Sequence, residues 1–343
     1  MVMKYRARAP LRLGLAGGGT DVPPFCDEHG GYVLNSTISL YAHAILEPLD
    51  SGLIIFEAQD LQQSETFDSI TNILDSEPLR LHKGVLARLI SDFSLTRELS
   101  FKLTTYADAP PGSGLGTSST MVVCIIQVFA EWLGLPLGEY EIAKLAYQIE
   151  REDLKLQGGK QDQYAATFGG FNFMEFSNSS VLVNPLRVKP KIIRELEQSI
   201  VLFYTGTSRD SATIISTQIE SSNDHKSTTT KALLRIKDDA HDLKAALLLG
   251  DINRFAKIID ASWVQKKLLS NVVSNPKLDE IYNAVMSAGG VAGKISGAGG
   301  GGFFMFIVEA EQRPEIIRIL NSFSGYVVPF NFEDSGSISW VST

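Results

Sequence analysis

The segment from Ala109 to Ser119 restricts the fold of this 343-residue chain more than any other part of the sequence. It contains two prolines and three glycines, so it forms neither a helix nor a strand. Apolar residues then recur at helical spacing, which predicts a helix that starts near Thr117 and stops at Gly134. The first amides of such a helix lack intrahelical partners and lie at the positive end of its dipole. A glycine loop leading into a helix therefore predicts an anion site, most often for phosphate; the alternative is an ordinary helix cap after a turn.

Two well-known glycine fingerprints for nucleotides do not account for this loop. No G-x-x-x-x-G-K-[ST] pattern occurs in the chain. A G-x-G-x-x-G match occurs within Lys294–Gly302, but it leads into Phe303–Val308, which is a predicted strand and not a helix. A dinucleotide-binding oxidoreductase is therefore disfavoured. The four consecutive glycines at 299–302 instead imply that the backbone closely approaches a ligand or a packed domain interface.

Two further segments combine a charged side chain with glycines. Gly158–Gln163 contains a lysine and a carboxylate, which favours either an active-site loop or a solvated turn. Arg12 precedes the glycine cluster Gly17–Asp21 on a predicted strand. Such an arginine either polarises an acceptor hydroxyl or is a surface arginine near a turn.

Composition limits the class of partner. The formal net charge is −8, so no long-range attraction to nucleic acid or to an anionic membrane is expected. The longest apolar-rich stretch, Met121–Leu135, is interrupted by Gln127 and Glu131 and is too short to span a bilayer. The two cysteines, Cys26 and Cys124, lie far apart, and the N-terminal residues show no signal-peptide pattern. We therefore expect a cytoplasmic protein whose partners are small molecules, with no nucleic acid and no membrane.

The pattern of strands and helices predicts an α+β protein with two domains, 1–190 and 191–343. The predicted elements begin with strands and one helix in the first hundred residues, and the second half is mainly helical before a strand, a glycine loop and a strand. The predicted strands are Arg6–Leu15, Tyr32–Glu47, Leu53–Phe56, Leu99–Thr105, Phe168–Phe176 and Ile200–Tyr204. The other predicted helices are Leu79–Ser91, Ile142–Leu154 (ending at Gly158-Gly159), Ala232–Leu249, Ile252–Leu269 and Pro276–Ala288.

Three motifs in this order resemble those of the GHMP kinase superfamily. The central motif P-x-x-x-G-L-G-S-S appears as Pro110–Ser118, with threonine replacing the first serine. Ala9–Arg12 with Gly17–Asp21 matches the first motif, and Lys294–Gly302 matches the C-terminal one. The resemblance implies an N-terminal domain like the ribosomal S5 second domain and a ferredoxin-like C-terminal domain. The site would lie in the cleft between them.

The resemblance also implies ATP and Mg²⁺ as cofactors and assigns roles by position. Asp162 matches the catalytic aspartate, and Arg12 matches the basic residue near the acceptor hydroxyl. Ser118 and Glu150 would hold Mg²⁺, with Glu152 as a competing candidate because the spacing to Asp162 is irregular. The triphosphate would be bound by Pro111, Gly112, Ser113, Gly114, Leu115, Gly116, Thr117, Ser118 and Ser119.

Within the superfamily, the first motif, Gly158–Gln163 and Thr205–Arg209 are most similar to those of the heptose 7-phosphate kinases. The resemblance implies transfer of a phosphoryl group to the anomeric hydroxyl of a sugar phosphate. Fucokinases or another free-sugar kinase, and a non-catalytic ATP- and sugar-binding sensor, remain alternatives. The motif lacks the Glu-His pair of galactokinases, which argues against galactose. The acceptor would be bound by Gly18, Gly19, Thr20, Asp21, Lys160, Arg209, Gly297, Ala298 and Gly299, with the two cations contacting its phosphate.

Overall fold

Two β-sheets, each covered by helices, make up the protein. The computed structural model describes residues 3–70, 73, 77–95, 99–178, 180–207, 214–216 and 228–342. Among these residues, no helix is both long and apolar enough to cross a membrane. The predicted α+β class is confirmed, because the described residues form two sheets with helices packed against both.

The first sheet has eight strands in the described residues, and a single long strand organises it. That strand, β2, pairs with β1 along most of its length, with β6 near its start and with β5 near its end. The path of the sheet is β12-β1-β2-β5-β3-β4, and β7 extends it beyond β6. The strands are β1 (Lys4–Ala16), β2 (Gly31–Pro48), β3 (Ile54–Ala58), β4 (Gln63–Phe67), β5 (Phe101–Ala107), β6 (Phe171–Phe176), β7 (Val181–Pro185) and β12 (Ile338–Ser342).

One nearly buried helix, α3 (Thr117–Leu133), supports this sheet from behind. It begins after Gly116 and ends before Gly134, and both glycines have positive φ, at 78° and 66°. The predicted helix and its boundaries are therefore confirmed. The remaining helices of this part are α1 (Phe25–His29), α2 (Arg80–Phe93), α4 (Glu139–Gln148) with a π-helical turn over Ile149–Asp153, and α5 (Gln161–Phe168).

The second sheet is built around a fully apolar strand, β10 (Phe303–Val308). Phe303 packs into a core shared with β1, whereas the next residue, Phe304, packs into a core beneath the C-terminal helices. An uninterrupted apolar run is needed because both faces of the strand are buried. The other strands are β8 (Ile200–Tyr204), β9 (Gly290–Ile295) and β11 (Tyr326–Val328), in the order β11-β8-β10-β9. The helices are α6 (Pro190–Ser199), α7 (Thr228–Leu249), α8 (Ile252–Lys267), α9 (Pro276–Ser287) and α10 (Arg313–Leu320).

The structure differs from the sequence analysis in two places near the site. Gln161–Phe168 forms helix α5, where an active-site loop and then a strand were predicted; the strand begins at Phe171. The helix predicted to run to Gly158-Gly159 ends at Asp153. An eight-residue helix has too few turns to show helical periodicity in sequence, which explains why α5 was missed.

The chain returns to its first sheet at the end. Strand β12 pairs antiparallel with β1, from Lys4 opposite Ser342 to Arg8 opposite Ile338. The C-terminal strand therefore completes the N-terminal sheet, although no element is predicted from sequence beyond Val308. The division into 1–190 and 191–343 remains a prediction.

Candidate active site

A cavity of about 470 Å³ lies where the two sheets meet. Its walls come from the end of β1, the loop before α3, the segment before α5 and the glycine loop after β9. The predicted site residues that line it are Arg12, Gly18, Gly19, Asp21, Pro111, Gly112, Gly114, Gly116, Thr117, Ser118, Ser119, Glu150, Asp162, Gly297 and Ala298. Residues that are distant in sequence thus share one cleft, as the resemblance implies.

The loop before α3 depends on backbone that only glycine adopts without strain. Gly112, Gly114 and Gly116 have φ values of 71°, 85° and 78°. No side chain caps the N-terminus of α3 in the described part of the chain, and residues 116–119 line the cavity. The positive end of the helix dipole therefore faces the cavity, and no side chain of the described residues caps the first amides. An anion site requires this arrangement.

The two glycine segments pack backbone against backbone. A Cβ atom added to Gly297 would lie 2.6 Å from the Cα atom of Gly114. The amide of Phe303 donates to the carbonyl of Ser113 at 2.9 Å, and the hydroxyl of Ser296 donates to that of Gly114 at 2.9 Å. The C-terminal glycine run therefore forms a domain interface that holds the first loop in place, one of the two interpretations left open by sequence.

Arg12 and Asp162 form an ion pair in the cavity wall. The Nε atom of Arg12 donates to Oδ1 of Asp162 at 2.8 Å, and Nη2 lies 2.7 Å from the same oxygen. Nη1 donates to the carbonyl of Gly114. The Arg12 side chain is 5% exposed and that of Asp162 is 22% exposed. The guanidinium is thus immobilised between the aspartate and the glycine loop, and the carboxylate stays accessible from the cavity.

Asp21 binds protein groups with both of its carboxylate oxygens. Oδ2 accepts from the amide of Gln161 at 3.0 Å, and Oδ1 accepts from the Gln161 side chain at 3.1 Å and from the amide of Gly19 at 3.2 Å. Burial raises the pKa of Asp21, and the neighbouring charge of Asp162 raises it further. Asp21 therefore secures the start of α5, the helix that carries Asp162.

Glu150 faces the cavity, and Glu152 does not. Glu150 is 1% exposed; it accepts from Nε2 of Gln163 and lies 3.8 Å from Arg151. Burial raises the pKa of Glu150. Glu152, whose side chain is 55% exposed, lies outside the cavity and pairs with Arg88 at 3.9 Å. Of the two candidates left open by the spacing, only Glu150 borders the cleft.

The oxygen donors around the cavity fit Mg²⁺. Carboxylates of Glu150 and Asp162 and the hydroxyl of Ser118 line the same cleft, and Mg²⁺ prefers such hard oxygen ligands. No group of three or more His, Cys, Asp or Glu able to hold a metal occurs in the residues that the structure describes. Mg²⁺ at a phosphate site needs only one or two carboxylates besides the phosphates, so this donor set suffices.

Several predicted site residues lie outside the cavity wall. Lys160 directs its ammonium group to Asp27 at 3.2 Å and to the carbonyl of Ser177 at 3.3 Å, where it joins α1 to the end of β6. Arg209 lies outside the described residues. The cavity wall likewise does not include Thr20, Ser113, Leu115 or Gly299. Ser113 and Leu115 act through their carbonyls, which accept from Phe303 and Arg12.

Three cations and two side-chain amides in the cavity wall are missing from the predicted site. They are Arg151, Lys266, Lys294, Gln157 and Gln161. Lys294 opens the C-terminal glycine motif, so its position was visible in sequence. Lys266 sits on an ordinary amphipathic helix with no motif around it, and only the fold brings it to the cleft.

Comparison with known proteins agrees with this geometry. The family model for the GHMP kinases N terminal domain matches residues 80–170, and that for the GHMP kinases C terminal matches residues 243–325. The D-glycero-alpha-D-manno-heptose 7-phosphate kinase of Campylobacter jejuni is 48% identical over 336 residues, 98% of both chains. The crystal structure of a D-glycero-D-manno-heptose 1-phosphate kinase from Bacteroides thetaiotaomicron has a TM-score of 0.82 at 47% identity, covering 98% of both chains. The L-fucokinase/L-fucose-1-P guanylyltransferase of Bacteroides fragilis is more distant, 27% identical over 91% of this chain and 35% of its own length.

The two family matches and the similarity to a sugar phosphate kinase define an ATP-dependent kinase, whose cleft contains the N-terminus of α3 and the Arg12–Asp162 pair. The chain belongs to the GHMP kinase family, and it is similar to the heptose phosphate kinases within it. The predicted resemblance and the two-domain GHMP architecture are confirmed.

Proposed function

We propose that the protein transfers the γ-phosphoryl group of ATP to the anomeric hydroxyl of a sugar phosphate. The substrate is D-glycero-D-manno-heptose 7-phosphate, and the product is the 1,7-bisphosphate. The observation that carries the proposal is the Arg12–Asp162 pair, which places a partly exposed carboxylate opposite the glycine loop in one cleft. The 48% identity to a heptose 7-phosphate kinase over nearly the whole chain supports the choice of acceptor.

The nucleotide end of the cleft is the loop before α3. Gly112, Gly114 and Gly116 present backbone amides, and the first turn of α3 adds the hydroxyl groups of Ser118 and Ser119. Ser118 and Glu150 would hold Mg²⁺, which would neutralise the negative charge of the ATP phosphates. Gln163 orients Glu150 and donates to the hydroxyl of Ser119 at 3.1 Å.

The acceptor end contains the groups that manage the proton. Within the described residues, only Oδ1 of Asp162 has a hydrogen-bond partner, the guanidinium of Arg12. Oδ2 remains available to the anomeric hydroxyl. The hydroxyl oxygen attacks the γ-phosphorus, the bond to the β–γ bridging oxygen breaks, ADP leaves, and the hydroxyl proton passes to Asp162. Arg12 stabilises the negative charge that develops between the attacking hydroxyl oxygen and the departing bridging oxygen. Positioning and charge neutralisation supply most of the rate enhancement in such a transfer.

The names of the two related proteins differ in the phosphate position of their substrate, 7 in one and 1 in the other. Transfer to the anomeric oxygen requires a free hydroxyl at C1, so the 7-phosphate is the acceptor that fits our proposal. A chain that uses ATP and sugar phosphates works where both pools exist, and its two cysteines are buried and free, so we place it in the cytoplasm.

A panel of acceptors tests the proposed function. ADP release is measured with MgATP and heptose 7-phosphate, heptose 1-phosphate, fucose, galactose, N-acetylhexosamines, mevalonate or no acceptor. We expect turnover with heptose 7-phosphate and little with the others. Turnover with free fucose instead would assign a free-sugar kinase. ATP binding without turnover on any acceptor would assign a sensor.

A further inference from the structure

Two buried lysines border the cavity, and neither forms an ion pair with a carboxylate among the residues that the structure describes. Lys266, at the end of α8, is 7% exposed and donates to the carbonyl oxygens of Ile295 at 3.2 Å and Gly297. Lys294, on β9, is 5% exposed and donates to the carbonyl oxygens of Gly14 and Leu15, both at 2.9 Å. An ammonium group has three N–H donors, so each lysine retains one for a ligand.

Charge is only partly balanced at this position, because the carboxylate of Asp239 on α7 acts on Lys294 from beyond ion-pair distance. In the described part of the chain, neither ammonium group has a carboxylate within ion-pair distance, in contrast to the equally buried Lys83, which pairs with Glu65 at 3.1 Å. Burial lowers the pKa of Lys266 well below its ordinary value, and the charges of Lys294 and Arg12 lower it further. A cluster of buried cations is costly unless an anion completes it.

The other cations of the cavity wall are already engaged. Arg12 pairs with Asp162, and Arg151 lies against Glu150 and donates to the carbonyl oxygens of Leu156 and Gly159. Among the lining residues that the structure describes, Lys266 and Lys294 are the cations left to meet an incoming anion.

The position of Lys294 relative to the reacting pair suits the far end of a sugar. Lys294 holds the carbonyl of Gly14, two residues beyond Arg12 along β1, which corresponds to roughly 7 Å of strand. This spacing leaves room for the body of a sugar between a hydroxyl at Asp162 and a group at Lys294.

We propose that Lys266 and Lys294 form the subsite for the phosphate group that the acceptor carries before transfer. The inference rests on the proposed function and makes these lysines the residues that select a sugar phosphate over a free sugar. Lys160, which the sequence favoured for this contact, is held by Asp27 instead.

Substitution of Lys266 with methionine tests the subsite, because methionine keeps much of the side-chain volume and removes the charge. We expect Lys266→Met to raise the KM for heptose 7-phosphate at least ~10-fold and to leave the KM for ATP unchanged. The KM for unphosphorylated heptose should rise much less than the KM for heptose 7-phosphate. Lys267→Met is the matched control: Lys267 is the next residue of the helix, is exposed, and contacts the rings of Trp263 and Tyr282. An equal rise in KM for ATP, or for free and phosphorylated sugars alike, would overturn the proposal.

A binding measurement separates this inference from the proposed function. With saturating MgADP present to fill the nucleotide end, inorganic phosphate should raise the melting temperature of the wild type. The increase should be lost in Lys266→Met and in Lys294→Met and kept in Lys267→Met. The thermal shift tests only the phosphate subsite, so it would remain informative if the acceptor panel showed turnover with another sugar. An unchanged shift in both lysine variants would overturn the proposed subsite. Lys266→Arg keeps the charge, so it shows whether a lost shift in Lys266→Met comes from misfolding and not from the lost charge.

Discussion

The guanidinium of Arg12 contacts a single oxygen of Asp162 twice, with Nε at 2.8 Å and Nη2 at 2.7 Å from Oδ1. One residue lies on the first strand and the other on a short helix 150 positions later. Both contacts go to Oδ1, so Arg12 leaves the other carboxylate oxygen of Asp162 unbonded. In our proposal that oxygen takes the proton of the acceptor, and the pair couples charge stabilisation to placement of the proton acceptor.

Asp162→Asn should lower kcat by at least ~10²-fold, because the amide keeps the shape of the carboxylate and cannot take a proton. ATP affinity should stay within a few-fold of wild type, since the nucleotide loop is not altered. Steady-state kinetics with heptose 7-phosphate and an independent ATP titration measure the two effects. Near-normal turnover by this variant would remove Asp162 from the proposed role.

Alanine substitutions of the glycines at the two ends of α3 separate the cost of backbone strain from disruption of the site. Gly116 and Gly134 both have positive φ, so alanine at either position should cost about 1 kcal/mol of stability. A Cβ atom at position 116 would lie 3.1 Å from Cγ of Asp162, whereas at position 134 it would meet nothing within 4 Å. Gly116→Ala should therefore also lower kcat, by about 10- to 100-fold, as expected for a displaced catalytic group.

Chemical denaturation and steady-state kinetics on both variants test this difference. Equal kcat values in Gly116→Ala and Gly134→Ala would mean that the contact with Asp162 has no effect on turnover.

The two neighbouring glutamates offer a matched test of Mg²⁺ binding. Glu150→Gln should raise the Mg²⁺ concentration needed for half-maximal rate by at least ~10-fold, because a buried carboxylate at the cleft is lost. Glu152→Gln should behave as wild type, since Glu152 lies outside the cavity beside Arg88. Magnesium titration of the initial rate, at fixed ATP, measures both. A larger effect at position 152 would reverse the assignment.

The pH dependence of acceptor binding should reveal Lys294. Burial, aided by the charge of Arg12, lowers the pKa of Lys294 from 10.5 to about 7, although Asp239 on α7 opposes the shift. Lys266 on α8 adds a further nearby cation. A bound phosphate dianion favours the protonated lysine, so binding above pH 7 requires proton uptake.

We therefore expect the KM for heptose 7-phosphate to increase between pH 7 and pH 9, by up to about tenfold per pH unit for one proton. The phosphate itself is mainly dianionic over this range, because its second pKa is about 6. Lys294→Met should have a high KM that does not change with pH. The same shift has the opposite sign for stability: above pH 7 the unfolded lysine holds a proton that the folded one lacks, so the free energy of unfolding attributable to Lys294 rises with pH. A KM for the wild type that is flat from pH 7 to 9 would contradict the assignment.

Local sequence was sufficient to predict the elements whose own residues show a clear pattern. The boundaries of α3 were predictable because glycines with no Cβ stand at both ends of a helical apolar pattern. Strand β10 was predictable because six consecutive apolar residues fit a strand buried on both faces. The phosphate-binding role of the loop before α3 stays a prediction, which rests on a glycine run directly before a helix.

Other features depend on contacts between distant segments. Helix α5 has eight residues, and Asp21, 140 positions earlier, satisfies its first amide, so nothing in its own sequence marks its start. The choice between Glu150 and Glu152 depends on which side of a π-helical turn faces the cleft. The position of Lys160 in the sequence makes it a candidate phosphate ligand, but its ammonium group forms an ion pair with Asp27.

The sequence alone determined the class of protein, because its three ordered motifs are those of the GHMP kinases, and from them it predicts a phosphate loop and a catalytic aspartate. Only the tertiary structure decided which charges share the cavity. Lys266 and Lys294 become a candidate subsite because packing buries both near Arg12, with no carboxylate of the described residues within ion-pair distance of either. Electrostatic balance depends on which groups are neighbours in space, so it cannot be derived from the sequence of one segment at a time.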